Sequence, residues 1–376
     1  MAVIRGKAGI VAISCPGAAT DTVGGYDTDS TPTHTLFCDV AESTRQSDFF
    51  DKVALADGQE ERSGLVEMRR VTGVTVSMPA SDTGLPILVA KALGTESVAS
   101  PSGGTTSKQH NISPVVIGSE LRNFAVQVNQ VSTSSTTAVE SIKHTGCVCS
   151  SFTLSGTKSD PAIRCSATFQ SSGTEGTLAD LSTGMTVPAY LPYNFNHMYN
   201  FLSLTTISSA PTATTDIPVF GTPPDGSNLT TAVNVGNWLE SFSWTVNNNL
   251  DVDGGHNTGG DTNASTMFRQ ARSQSVTMTW KWNTTDSIIE NMRSSTIGTE
   301  YAMGLYCYSN TRIVDEATDY AYGWKLLFPK LVLRSTTMGG GLGIRTITAT
   351  FDVAQPSLTV GSAYFYAWNA DATIYR

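Results

Sequence analysis

Polar and apolar side chains alternate along Trp238–Asp251, WLESFSWTVNNNLD. Trp238, Phe242, Trp244 and Val246 hold even positions, and Ser241, Ser243, Thr245 and Asn247 hold odd ones. A period of two marks a strand with one buried face, so the four apolar residues are predicted to form the core side of a long antiparallel strand. The asparagines and Asp251 end it, because short polar side chains compete for backbone hydrogen bonds and favour turns. The same period recurs at Val71–Met78, Ile163–Phe169, Val276–Trp282 and Ile347–Val353. Further strands are expected at Leu121–Val128, Cys147–Leu154, Ala302–Tyr308 and Lys325–Leu333, and His34–Val40 can form one more.

Two short helices interrupt this pattern. Ser81, Asp82 and Thr83 offer N-cap oxygens, Pro86 suits a first turn, and Leu85, Leu88, Val89 and Ala92 follow at helical spacing before Gly94 at the C′ position. The second helix carries Ile288, Ile289 and Met292, with Asp286 or Ser287 as its cap, Ser287 and Glu290 spaced as a capping box, and Gly298 closing it. Low-complexity loops are expected at Ser97–Ser107 and Ser132–Thr137, and a permissive turn at Gly339–Gly343. Residues 176–236 read as a connection, with one short helix near Phe195–Leu202.

The order strand, helix, strand, strand, strand occurs twice. VTVS at 74–77 matches VTMT at 276–279, Gly94-Thr95-Glu96 matches Gly298-Thr299-Glu300, and Ile163-Arg164 with ATF at 167–169 matches Ile344-Arg345 with ATF at 349–351. An internal duplication follows from the shared order. The chain is therefore expected to be mainly β, with an irregular N-terminal arm (1–65), two similar lobes (66–175 and 237–356), each with a short flanking helix, and an aromatic tail (357–376).

Composition narrows the function classes. Of 376 residues only 15% are charged, and Ser, Thr, Asn and Gly supply most of the polarity. The net charge of −9 argues against a basic nucleic-acid-binding surface but suits a surface past which DNA must slide. No apolar run approaches the ~18 residues that span a bilayer, so no membrane partner is expected. Arg5 and Lys7 before the apolar run Ala8–Ile13, with Cys15 after it, can be read as a lipoprotein signal, although an exposed arm is the preferred reading. Six cysteines in so long a chain read as reduced thiols rather than a disulfide scaffold.

Candidate chemistry is sparse. Cys147 and Cys149 near His144 offer metal-ligand types without a second pair, and small strand residues are the preferred reading. Asp251-Val252-Asp253-Gly254-Gly255 resembles the start of a calcium loop, but Thr262 stands where the twelfth-position acid belongs. GxSxG, HExxH and GxxxxGK are all absent, and GGGLG at 339–343 is no dinucleotide fingerprint. No catalytic, cofactor-binding or metal-binding residue is assigned. Asp251, Asp253 and His256, in the loop 251–266, are candidate contacts with another subunit. Tyr364, Tyr366 and Trp368 in the tail are further candidates; such aromatics either dock on their own domain or anchor a neighbour.

Several segments, in order, resemble the tail tube (major tail) proteins of long-tailed bacteriophages. They are VTGVTVSMPASDTGLPILVAKALGTE at 71–96, SKQHNISPV at 107–115, GCVCSSFTLSG at 146–156, IRCSATF at 163–169, LESFSWTVNNNLD at 239–251, VTMTWKW at 276–282 and IRTITATFDVA at 344–354. The chain departs from the common pattern in its Ser/Thr-rich loops, its first 60 residues and its aromatic tail.

The resemblance implies a β-sandwich or half-barrel with a flanking helix, in rings that stack into a hollow tube. With the fold present twice per chain, three copies would give a ring of six lobes. The partners implied are further copies of the chain, other tail proteins, and viral DNA that passes without specific binding. The implied place is the virion tail, assembled in the host cytoplasm, with no enzymatic activity. Loops 97–110 and 251–266 and the N-terminal arm would join rings, around an acidic or neutral lumen.

The leading alternative is an adhesive or carbohydrate-binding β-sandwich, which needs Trp244, Trp280 or Trp282 exposed as a platform. A glycosidase comes third. Phe242→Asp buries an unpaired charge, a lesion that costs upwards of about 4 kcal/mol against a net stability of ~5–15 kcal/mol, and it should abolish folding and assembly together. Circular dichroism and negative-stain microscopy read both, and an F242D chain that still polymerised would contradict the strand assignment.

Overall fold

The computed structural model describes residues 9–15, 32–51, 65–101, 104–115, 119, 121–131, 138–171, 175–177, 191–211, 217–251, 267–282, 287–314, 318–340 and 344–376. Its first strands are β1 (Gly9–Ile13), β2 (His34–Cys38), β3 (Val40–Asp51) and β4 (Leu65–Pro79). Helix α1 (Gly84–Leu93) follows, and Ser81 Oγ accepts from the Gly84 amide at 3.0 Å. Gly94 ends the helix at φ 96°, a left-handed conformation that glycine adopts without strain. Next come β5 (Gly94–Ala99), β6 (Lys108–Pro114), β7 (Phe124–Val131), β8 (Ala138–Thr157), β9 (Asp160–Ser171) and β10 (Glu175–Thr177).

The middle of the chain supplies β11 (Met198–Ser203), β12 (Val233–Asn234), β13 (Leu239–Asn247), β14 (Leu250–Asp251), β15 (Phe268–Arg269) and β16 (Ser273–Lys281). After α2 (Ser287–Ser294) the chain ends with β17 (Glu300–Arg312), β18 (Ala321–Gly339), β19 (Thr346–Val353) and β20 (Tyr364–Asn369). The fold is mainly β, built on a large antiparallel sheet.

The pairing of the strands repeats. β3 lies beside β4, β4 beside β9, and β9 beside the second half of β8. Likewise β13 lies beside β16, β16 beside β19, and β19 beside the second half of β18. The registers agree with the sequence matches. Val74 stands opposite Phe169, and Val276 opposite Phe351. A bulge even recurs: Phe169 faces Cys149 with Ser150 skipped, and Phe351 faces Leu333 with Arg334 skipped. β8 then pairs with β13, which fuses both sets into one run, β3-β4-β9-β8-β13-β16-β19-β18.

The first halves of β8 and β18 leave this run and join other strands: β8 pairs with β7 and β10, and β18 with β17 and β20. Aromatic side chains from the run itself, from the first half of β18 and from the turn at Phe195 pack together on its inner face. Trp244 meets Phe152 edge-on at 5.5 Å and Phe328 at 5.8 Å, and Phe242 stacks on Phe195 at 6.2 Å. Phe242, Trp244 and Val246 are buried as expected. Trp238 instead sits half-buried in a 3-10 turn, because a register shift between Leu239 and Ser241 breaks the phase of the alternation.

Several expectations need correction. The first 51 residues are not all an irregular arm. The apolar run read as a signal core is β1, whose Val11, Ala12 and Ile13 are fully buried between β2 and β7. The charged stretch after Val40 contains the 12-residue β3, whose polar composition hid it. β5 extends into the predicted loop 97–107 and forms a hairpin with β6. Only Phe195–His197 is helical near Phe195–Leu202, and β11 follows at once beside β17. The Glu290 carboxylate accepts from Trp282 Nε1 (2.8 Å) and Arg293 Nε (2.8 Å), and the Ser287 side chain of the expected capping box lies outside the described residues. Ser132–Thr137, Asp286 and residues 341–343 lie outside the described residues.

The tail is the largest revision. β20 inserts between β18 and β6, with Tyr366 and Trp368 buried and Tyr364 half-buried. Burial there makes Tyr366 and Trp368 core residues of their own chain rather than contacts for a neighbour. A polar clasp secures the end beyond. Glu96 Oε2 accepts the amides of Tyr375 (2.6 Å) and Arg376 (2.9 Å), while Glu96 Oε1 lies 2.8 Å from His110 Nδ1, both side chains fully buried. Tyr375 stacks on His110 at 4.6 Å and donates to Asp371 Oδ2, which also meets His34 Nε2 at 3.2 Å.

Burial opposes a charge on His34, but hydrogen bonds with Asp371 and Cys15 outweigh it and push the pKa from 6.5 up to about 9. Burial likewise opposes a charge on Asp371, and its bonds to His34, Thr373 and Tyr375 pull it far below the carboxylate range. His34 thus stabilises the fold fully below pH ~6.5, a contribution lost as pH rises through about 9. Asp371 contributes above pH ~4, a contribution lost as pH falls toward its folded value. Thermal melts against pH should show the melting temperature falling between pH ~6.5 and ~9, with that slope flattened in Asp371→Asn. An unchanged slope in D371N would contradict the pairing.

Candidate functional site

On seven of the eight strands of the run the outward face is a carpet of hydroxyls, and β3 at its edge adds Val40 and Glu42 beside Ser77 and Thr75. Inward positions hold the core, so the intervening ones hold Thr75 and Ser77 on β4, Ser166 and Thr168 on β9, Ser151–Thr153–Ser155 on β8, and Ser241–Ser243–Thr245 on β13. Ser275, Thr277 and Thr279 on β16, Thr346, Thr348 and Thr350 on β19, and Ser335 and Thr337 on β18 continue it. Threonine suits this place because its branched side chain fits a pleated surface and pairs across strands. The hydroxyls of Thr75–Thr168, Thr153–Thr245 and Thr277–Thr350 lie 3.4 Å apart, and those of Thr279–Thr348 2.9 Å.

Charge gathers at the ends of these strands and is largely paired. Arg164 holds Asp39 at 2.8 Å and Asp160 at 3.1 Å, Lys281 meets Glu240 at 3.2 Å, and Arg334 meets Asp352 at 3.1 Å. These exposed pairs add little stability. Their effect is to neutralise the rim, leaving hydroxyls across the centre.

The run ends in two edges that no strand covers among the described residues: β3 beyond β4, and the last part of β18 beyond β19. Such an edge presents unpaired backbone groups and is a template for another strand. Val40 and Met338, 42% and 45% exposed, lie on these edges. Repeat equivalence makes β3 the counterpart of β13 and this part of β18 the counterpart of β8, the two strands that pair at the centre. Met338, opposite Ile347, corresponds to Leu154, opposite Cys165. Leu154 is fully buried under the β8–β13 junction, whereas Met338 has no such cover.

The residues behind the alternative readings occupy unpromising places. Trp244 and Trp280, two candidates for an exposed aromatic platform, are fully buried; Trp282 is half-buried, with Arg345 over its ring. Cys147 and Cys149 are fully buried, and burial pushes both thiols up to about 12. His144 Nε2 lies 2.9 Å from Ser43 Oγ. Among the described residues no group of His, Cys, Asp and Glu could hold a metal ion. Asp251 pairs with Phe268 in the small β14–β15 ladder, while Asp253 and His256 lie outside the described residues. Among the described residues no helix is long and apolar enough to cross a membrane.

Sequence reasoning missed Asn248, expected only to stop a strand. It is fully buried, and its Nδ2 donates to Ala92 O (3.0 Å) and Cys149 O (2.9 Å). Arg272 adds bonds to Ala92 O and Leu93 O, so side chains of the second half cap the C-terminus of α1. A polar run gave no signal for this. Searched against protein families and curated proteins, the chain matches none.

Proposed function

We propose that this chain is a structural subunit that assembles with copies of itself into stacked rings, forming a hollow tube of the bacteriophage tail-tube kind. In this reading the chain holds two similar lobes, three copies make a ring of six, and the tube belongs to the virion tail. The observation that carries it is the eight-stranded run, which is joined at its centre by β8 and β13 and left open at the strands that correspond to them.

Pairing β18 of one copy with β3 of the next repeats the central junction, and repetition around an axis closes the sheet so that no edge remains. The hydroxyl face would then line the lumen. Hydroxyls with charge paired at the rim give DNA no cationic lattice to neutralise, so it can pass without adhering. Catalysis has no part in this reading. The adhesive alternative loses support from the burial of Trp244 and Trp280.

Met338→Lys places a charge on the open β18 edge, a device that blocks strand pairing. As a surface change it should alter stability by under about 0.5 kcal/mol. Negative-stain microscopy and sedimentation should show rings for the unmodified chain and for a Leu204→Lys control, whose site is 52% exposed elsewhere, but monomers for M338K. Rings formed equally well by M338K would remove the β18 edge from the assembly.

A further inference from the structure

A cavity of about 500 Å³ opens at the end of the run where β16 begins and β19 finishes, lined by Val115, Arg269, Arg272, Gln274, Gln355 and Ser362 among others. Arg269 and Arg272 both line it, and no acidic side chain among the described residues does. Arg272 directs its donors to Asn248 Oδ1 (2.6 Å) and to the carbonyls of Ala92 and Leu93, none of which carries a negative charge. Arg269 donates one bond, to Ser119 O at 3.2 Å, and its buried Nε has no partner. Neither makes an ion pair among the described residues. Burial first, and the Arg269 charge second, pull Arg272 down to about 9, the direction expected of a cation lacking its counter-ion.

We propose that this cavity is a carboxylate-binding site, with Arg269 as the anchoring cation and Arg272 as a fixed positive background. A guanidinium fork matches a carboxylate in shape and charge, and Arg269 brings one to the lining with no ion-pair partner among the described residues. Gln355 on the lining can supply a neutral donor to the same group. The carboxylate comes from one of two sources: a small dicarboxylic acid in solution, or an Asp or Glu side chain of a second copy. The second source rests on the proposed stacking of rings, and it suits a chain with 32 acidic residues against 23 basic ones.

The test uses the full chain. Melting temperature is measured with succinate against sodium chloride at equal ionic strength, and assembly is followed by sedimentation, for the unmodified chain, Arg269→Gln and Gln355→Glu. Gln355→Glu introduces an internal carboxylate, so it should raise the melting temperature by about 2 °C and fill the site without removing either arginine. A rise with succinate that R269Q weakens at least about tenfold in apparent affinity, and that Q355E cancels, assigns the site to a small dicarboxylate. No succinate response, with rings that persist but stack at least about tenfold less in both variants, assigns it to a second copy. No succinate response with unaltered assembly overturns the proposal. Failure of the unmodified chain to form rings would count against the tube alone, and the melting data would then decide the cavity.

Discussion

A strand's outer edge carries backbone donors and acceptors that must find partners, and the rest of this structure depends on how that demand is met. At the centre of the long run it is met internally, where Ser241–Asn247 pair with Ser151–Thr157 and join the two halves of the chain. At the two ends the corresponding strands face outward. A sheet whose ends are complementary to each other invites head-to-tail association, which closes if the rotation per subunit permits and otherwise runs on as a filament. The twist of antiparallel strands supplies the curvature that closure needs.

In the proposed assembly the edges must be held at a fixed distance and angle, and the interior ties the two halves together. One continuous core runs from Val11 to Tyr375 and draws on both halves. Cross-half polar bonds reinforce it: Asn248 and Arg272 cap α1, and Asn369 Nδ2 donates to Asp82 O. The C-terminal clasp ties β2 and the β5–β6 hairpin to the chain end through His34, Glu96 and Asp371. Flexing the halves against one another would break buried hydrogen bonds, each costing about 1–3 kcal/mol when a partner is left unsatisfied.

Strands buried on one face were legible in the sequence, because alternation is written directly in side-chain type. Phe242, Trp244 and Val246, or Val276, Met278 and Trp280, needed no three-dimensional information. β20 was not legible, since Tyr366 and Trp368 face one packed layer and Phe365 another, so both sides are apolar and the period vanishes. β3 failed for the opposite reason: an open edge carries Glu42, Thr44, Arg45 and Gln46, which read as loop. The internal matches align Val74 with Val276 and Phe169 with Phe351, and these residues stand in the same cross-strand register in the two halves. They could not show which edges stay open, because that depends on the order of strands in space. The Arg269–Arg272 cavity was invisible for the same reason.

The central claim is that the open part of β18 pairs with β3 of another copy as β8 pairs with β13. Thr153 and Thr245 face each other at that internal junction, and their counterparts are Thr337 and Thr44. A chain carrying both Thr44→Cys and Thr337→Cys, treated with a short bifunctional thiol reagent, measures the claim directly. The native cysteines described are all buried and should not react. Strand pairing of this kind predicts a ladder of covalent multimers for the double variant and none for either single variant. Absence of the ladder from assembled double variant, or equal ladders from the single variants, would contradict it.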